Sequence, residues 1–110
     1  METFDVAILD HLRVLNEMGL ETFASCSGHP WDKASYPYIA FTNYVEVFAE
    51  LARWNGFNVM DNRNAEVGWK LAIHHNIPAD TKGFVGKLDC LITQYKALKH
   101  LQHNGLIVIK

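Results

Sequence analysis

Hydrophobic and polar positions change their spacing several times along the chain, and each change marks an element. Phe4, Ala7, Ile8, His11, Leu12, Leu15 and Met18 recur at steps of three and four. Residues so spaced share one stripe of an amphipathic helix. Thr3 stands where an N-cap hydroxyl would accept a first-turn amide, and Gly19 suits the left-handed position after the last turn. From Leu20 to about Cys26 the step shortens to two. Leu20, Thr22, Ala24 and Cys26 are predicted to share one face of a strand.

Tyr36 to Thr42, reading YPYIAFT, predicts a second strand, with Pro37 at its start or on an edge because proline cannot donate to a ladder. Asn43 with Glu46 three residues on resembles a capping box. The helix it would open buries Val47, Phe48, Leu51, Ala52 and Trp54, and Asn55-Gly56 ends it. Phe57 to Met60 predicts a third strand, and Asp61 to Asn64 supplies turn chemistry. The clearest period of two follows: Val67, Trp69, Leu71, Ile73 and His75 alternate with Gly68, Lys70, Ala72 and His74. Asn76-Ile77-Pro78 breaks it. A long helix then begins near Asp80 or Thr81, with Phe84, Leu88, Leu91, Ile92, Tyr95, Leu98 and Leu101 on one face over about five turns. Asn104-Gly105 closes it, and Leu106 to Lys110 reads as a short terminal strand.

The order α-β-β-α-β-β-α-β predicts an α+β fold. Short connections favour antiparallel neighbours. The expectation is a single antiparallel or mixed sheet of four to five strands, with three helices packed mainly on one face. Its two strand-strand-helix units suggest pseudo-symmetry. A chain of 110 residues fits one domain, 1–110.

Charge and composition narrow the classes. A formal net charge of -2 argues against a general nucleic-acid binder, although five lysines follow residue 81 against the single acid Asp89. No apolar run approaches the roughly 20 residues of a membrane span. The start Met1-Glu2-Thr3-Phe4-Asp5 lacks the basic opening of a signal peptide, so a cytoplasmic protein is expected. Cys26 and Cys90 are too few for a disulfide scaffold and are expected as free thiols.

Candidate chemistry concentrates in Ser25-Cys26-Ser27-Gly28-His29. Glycine at a strand exit admits positive φ and brings amides close to a ligand. Ser27, Gly28 and His29 could then converge on an anion or polar group, with successive amides as a nest. A plain turn whose hydroxyls satisfy local amides accounts for the same residues. Cys26 and His29 also read as a catalytic pair, since an imidazolium lowers a thiol's pKa, though a strand cysteine is more often a small core residue. A zinc reading takes Cys26 and His29 with His74 or His75. Consecutive strand residues face opposite ways, so only one of the two histidines can join a given site, and His75 shares its face with Ile73 as a hydrogen-bonded core histidine would. Trp31, Tyr36 and Tyr38 add flat rings suited to a planar ligand or to hairpin packing. On the last helix, Lys96, Lys99, His100 and His103 share an exposed face. The helix dipole accounts for that face, and a phosphate-attracting patch is the functional alternative.

Ala24-Ser25-Cys26-Ser27-Gly28-His29 resembles the Thr-Ser-Ser-Cys-Ser-Gly-Arg strand ending of the tRNA wybutosine-synthesis methyltransferases, matching at Ser25, Cys26, Ser27 and Gly28. The following apolar strand, the helix and the Gly56-Phe57 pair look alike too. Small bacterial proteins with Ser-Cys-x-Gly-His before a Pro-Tyr strand, here Tyr36 to Phe41, are also similar. The methyltransferase resemblance implies S-adenosylmethionine as cofactor, a modified tRNA guanosine as product, and a ligand-facing Ser-Cys-Ser-Gly turn.

Two functions are therefore expected. One is a small domain binding a polar or nucleotide-like ligand through Ser25, Ser27, Gly28, His29, Trp31 and Tyr38, with His29 and Cys26 as candidate catalytic groups. The other is a non-enzymatic interaction module, homodimeric or with another partner, in which the turn is structural.

Overall fold

The computed structural model describes residues 8–26, 28 and 36–105. Within them lie α1 (Leu9–Glu17), β1 (Thr22–Cys26), β2 (Tyr38–Phe41), α2 (Glu46–Trp54), β3 (Asn58–Asp61), β4 (Leu71–His74) and α3 (Thr81–His103). The strands form one antiparallel sheet in the order β1-β2-β4-β3. This is the α+β arrangement that the alternating spacings predict. Thr3 and the terminal strand expected from Leu106 lie outside the described residues.

Register decides what each face of the sheet carries. Ser25, Ile39, Ile73 and Val59 lie opposite one another across the four strands. Phe41 and Leu71 continue that face one pair further on. Ile39, Phe41, Leu71 and Ile73 have no exposed surface and pack with Leu15, Phe48, Phe84, Leu88 and Leu91 from the helices. Each such side chain contributes about 1.5–3 kcal/mol by leaving water. Phe48 sits at the centre of this core, edge-on to Phe41 at 5.4 Å and to Tyr95 at 5.3 Å. Edge-to-face contacts of this kind match the positive ring rim to the negative ring face.

The opposite face carries Ala24, Ala40, Ala72 and Met60 in one row, and Cys26, Tyr38, His74 and Asn58 in the next. β1 joins this pattern through a bulge. The register shifts between Thr22, opposite Phe41, and Ala24, opposite Ala40. A bulge sets two residues against one and so reverses the alternation. Leu20 and Thr22 therefore do not share a face with Ala24 and Cys26, which corrects the unbroken strand alternation.

Three local expectations change as well. Asn43 does not cap α2: the N-cap is Val45, with no side-chain cap bond. The Asn43 side chain instead accepts from Glu21 N–H at 3.3 Å and donates to the Gly19 carbonyl at 2.8 Å, bracing the α1–β1 corner. Trp54 is 83% exposed rather than in the buried stripe, while Ala49 takes its place inside. Ala49 lies one residue after Phe48 and one turn before Ala52–Arg53, whereas Trp54 falls past the core-facing arc. The long alternation from Val67 to His75 is strand only from Leu71 to His74. Asn62 N–H donates to the Lys70 carbonyl and Asn62 Nδ2 to the Trp69 carbonyl, so Val67 to Lys70 close a loop before the ladder starts.

Candidate functional site

The strand exit predicted at Gly28 is present, with φ of +82°. Its surroundings give it a packing role. A β-carbon there would stand 2.8 Å from Pro37 Cγ and 3.5 Å from Ala79 Cα. The Gly28 carbonyl accepts from the Thr81 hydroxyl at 2.8 Å, and its N–H donates to Cys26 Sγ at 3.4 Å. The turn is thus tied to the start of α3, and the Gly28 amide is already used within the chain rather than offered to an anion. Ser27, His29 and Trp31 lie outside the described residues. Ser25 pairs with Ile39 on the helix-covered side, whereas Cys26 pairs with Tyr38 on the other.

The two adjacent histidines part as strand geometry requires. His75 follows β4 on the core side and its side chain is 1% exposed. Its Nε2 meets Asp80 Oδ2 at 2.8 Å, while Asp80 Oδ1 accepts from Gly83 N–H at 3.1 Å and caps α3. The His75 hydrogen bond, then the Gly83 amide, hold the Asp80 carboxyl below its usual range. A β-carbon on residue 83 would fall 2.1 Å from Asp80 Oδ2, which is why a glycine occupies the first turn of α3. His75 Nδ1 is buried with no hydrogen-bond partner among the described residues. His75 is the hydrogen-bonded core histidine of the sequence reading, in the role of a clasp between β4 and α3.

His74 looks the other way. Its ring stacks on Tyr38 with centroids 5.6 Å apart and planes 24° from parallel. Burial holds its imidazole below the ordinary histidine value. Among the zinc candidates, Cys26 and His74 share a face but stand on either side of Tyr38, and His75 is on the reverse. No group of three or more His, Cys, Asp or Glu among the described residues is placed to hold a metal.

Tyr38 and His74 form one end of a trough in the sheet face opposite the helix-packed core. The trough encloses about 380 Å³. Its floor is Ala24, Ala40 and Ala72, one small residue from each of three adjacent strands. Phe23 and Met60 rise from the two edge strands, and Trp69 stands at the entry to β4. The bulge lets consecutive Phe23 and Ala24 both line it. Short side chains flanked by tall ones make a slot, and this slot is walled mainly by rings and apolar groups, as small-molecule sites are.

Of these residues the sequence named Tyr38 for a planar ligand and His74 only as an alternative zinc ligand; it missed Phe23, Ala24, Ala40, Met60, Trp69 and Ala72. The signal available was the even phase of Tyr38-Ala40 and Ala72-His74, where alanine repeats opposite a bulky odd phase. A larger hollow of about 650 Å³ lies near the start of α2, lined in part by Arg63 and Lys70. Its cations are engaged: Arg63 holds Asp61 and the Tyr44 hydroxyl, and Lys70 holds the Ala65 carbonyl. On α3, Lys96, Lys99, His100 and His103 are all exposed, as the helical spacing predicts.

No family model, curated protein or solved structure matches this chain. No helix among the described residues is long and apolar enough to cross a membrane.

Proposed function

We propose that this α+β domain binds a small planar ligand in this trough, with Cys26 at the end of β1 beside its Tyr38–His74 end. The observation that carries this reading is the row of three alanines under a ring-lined slot. Side chains in the middle of an exposed sheet face are ordinarily polar or long enough to shield the backbone. Here three neighbouring strands place alanine there instead; Ala40 and Ala72 keep only 4% and 3% of their surface exposed, and a flat molecule would lie over them between the taller walls. Burying one face of such a ligand, on the order of 100 Å² of apolar surface, contributes roughly 2–3 kcal/mol before stacking is added. The nucleotide-like ligand expected from the sequence fits this shape, and S-adenosylmethionine, implied by the methyltransferase resemblance, belongs among the probes.

The test is a calorimetric titration with inosine, uridine, S-adenosylmethionine and indole, repeated on Ala40→Leu and Ala72→Leu. Leucine at either position fills the slot. Binding by the parent chain and at least tenfold weaker binding by both variants is the expected outcome. Binding that both variants retain would place the ligand elsewhere.

One observation favours a second reading. Phe23 is 55% exposed and Met60 46% exposed on the rim of the trough. Apolar rims of this kind also seat a protein surface, including a second copy of the chain. Sedimentation of the parent chain and a Phe23→Ser, Met60→Ser variant separates the two. A dimer lost in the variant supports the interaction module, and a monomer throughout supports the ligand site.

A further inference from the structure

The polar atoms of the trough say which planar molecules it would accept. Resting on the reading of the trough as a ligand site, we propose that His74, in its uncharged form, reads the hydrogen-bonding edge of an uncharged heteroaromatic ring. His74 is thus the residue that sets ligand specificity.

His74 shares its row with Tyr38 on β2, Cys26 beyond it on β1 and Asn58 on β3. The rings of Tyr38 and His74 stack on one another, which occupies one face of each. Neither ring nitrogen of His74 has a hydrogen-bond partner among the described residues. A neutral imidazole offers one N–H donor and one bare nitrogen acceptor. Among the described residues, no aspartate, glutamate, lysine or arginine lines the trough. The carboxylate nearest in sequence, Asp80, lies across the sheet with His75. A cationic ring in the trough would therefore lose water without gaining a counter-charge, and so would an imidazolium at His74. Both states are costly once water is excluded. Burial already holds His74 toward the neutral form. A purely hydrocarbon ring, in turn, would leave the imidazole edge desolvated and unpaired. What remains is an uncharged ring with a donor or acceptor on its edge.

Proton linkage gives this a measurable sign. If the ligand binds only neutral His74, binding is full above the free-state pKa of His74 and weakens as pH falls below it. The weakening approaches tenfold per pH unit. Inosine is a suitable probe because its ring keeps no charge between about pH 5 and 7.5, the range in which histidine titrates.

The experiment is calorimetry of inosine and of naphthalene at about pH 7.5 and 5, on the parent chain and on His74→Phe. Phenylalanine keeps a ring to stack on Tyr38 and removes the titrating, hydrogen-bonding edge. Inosine should bind the parent more weakly at the lower pH, by up to about tenfold for each unit by which the pH lies below the free-state His74 value. His74→Phe should bind inosine more weakly at neutral pH, with no pH dependence, and should hold naphthalene, a ring with no polar edge, at least as well as the parent. In parallel, the imidazole resonances of His74 in the parent chain should titrate at lower pH with inosine than without. That arm stands even if His74→Phe does not fold. Equal inosine affinity at the two pH values, an unchanged His74 titration, or undiminished inosine binding by a folded His74→Phe would each overturn the inference while leaving a ligand site in place. Binding of neither ring to the parent at any pH would remove the trough reading itself, and this inference with it.

Discussion

Replacing Gly28 by alanine separates two costs that glycine avoids. At φ of +82° an L-residue suffers its β-carbon against the following carbonyl, about 1–2 kcal/mol. Alanine also narrows the unfolded ensemble, returning roughly 0.4–1 kcal/mol. Gly19, at φ of +90° with nothing within 4 Å of an added β-carbon, shows this balance alone. Gly19→Ala should therefore cost about 1 kcal/mol or less. At Gly28 the added methyl lands 2.8 Å from Pro37 Cγ and 3.2 Å from its Cδ, and Pro37 is itself fully buried. Pro37 must shift, and its carbonyl accepts the His75 N–H at 2.9 Å, so the shift strains the β4 end too. Overpacking of this kind adds about 1–3 kcal/mol. Gly28→Ala should lose about 2–4 kcal/mol in all, near 10 °C or more in Tm for a domain of this size. Urea unfolding of both variants, with unchanged m-values, measures the difference. Equal losses in the two variants would refute the packing account and return Gly28 to an open turn.

Asn43→Asp should destabilise about as much as Asn43→Ala, roughly 1 kcal/mol, because aspartate cannot donate to the Gly19 carbonyl; a capping role would tolerate aspartate, and denaturant melts decide. Trp54→Ala should lie within about 0.5 kcal/mol of the parent, since an exposed side chain holds little of the core. Asp80 has a folded-state pKa below its ordinary value of 3.8, so its contribution is present above that value and is lost as pH falls through the folded one. Thermal melts across the acid range should show Asp80→Asn less stable than the parent near neutrality, with the gap closing toward low pH. A constant gap would mean that the charge of Asp80 does not matter.

The fold was legible where burial is one-sided. The α3 stripe from Phe84 to Tyr95 and the alternation of Leu71 and Ile73 each follow from a single hydrophobic face, and all of these residues are buried. What stayed hidden depends on partners distant in sequence. The Asn43 side chain finds Gly19 and Glu21, more than twenty residues back, in place of its own helix. The bulge at Phe23 reverses half of β1, and no local pattern announces it. The candidate site divides along the same line. Gly28 announced its kink, and the alternation placed His74 on the face opposite His75. The trough came from alanines on separate strands, which a linear reading takes for filler.

The most direct measurement is a two-dimensional amide NMR titration of the parent chain with inosine. The account predicts concentration-dependent shifts at Ala24, Ala40, Met60, Ala72 and His74, with Thr93, Lys96 and His100 on α3 unmoved. Shifts centred on α3 or on the hollow near Arg63 and Lys70, or no shifts at all up to the solubility of the nucleoside, would contradict it.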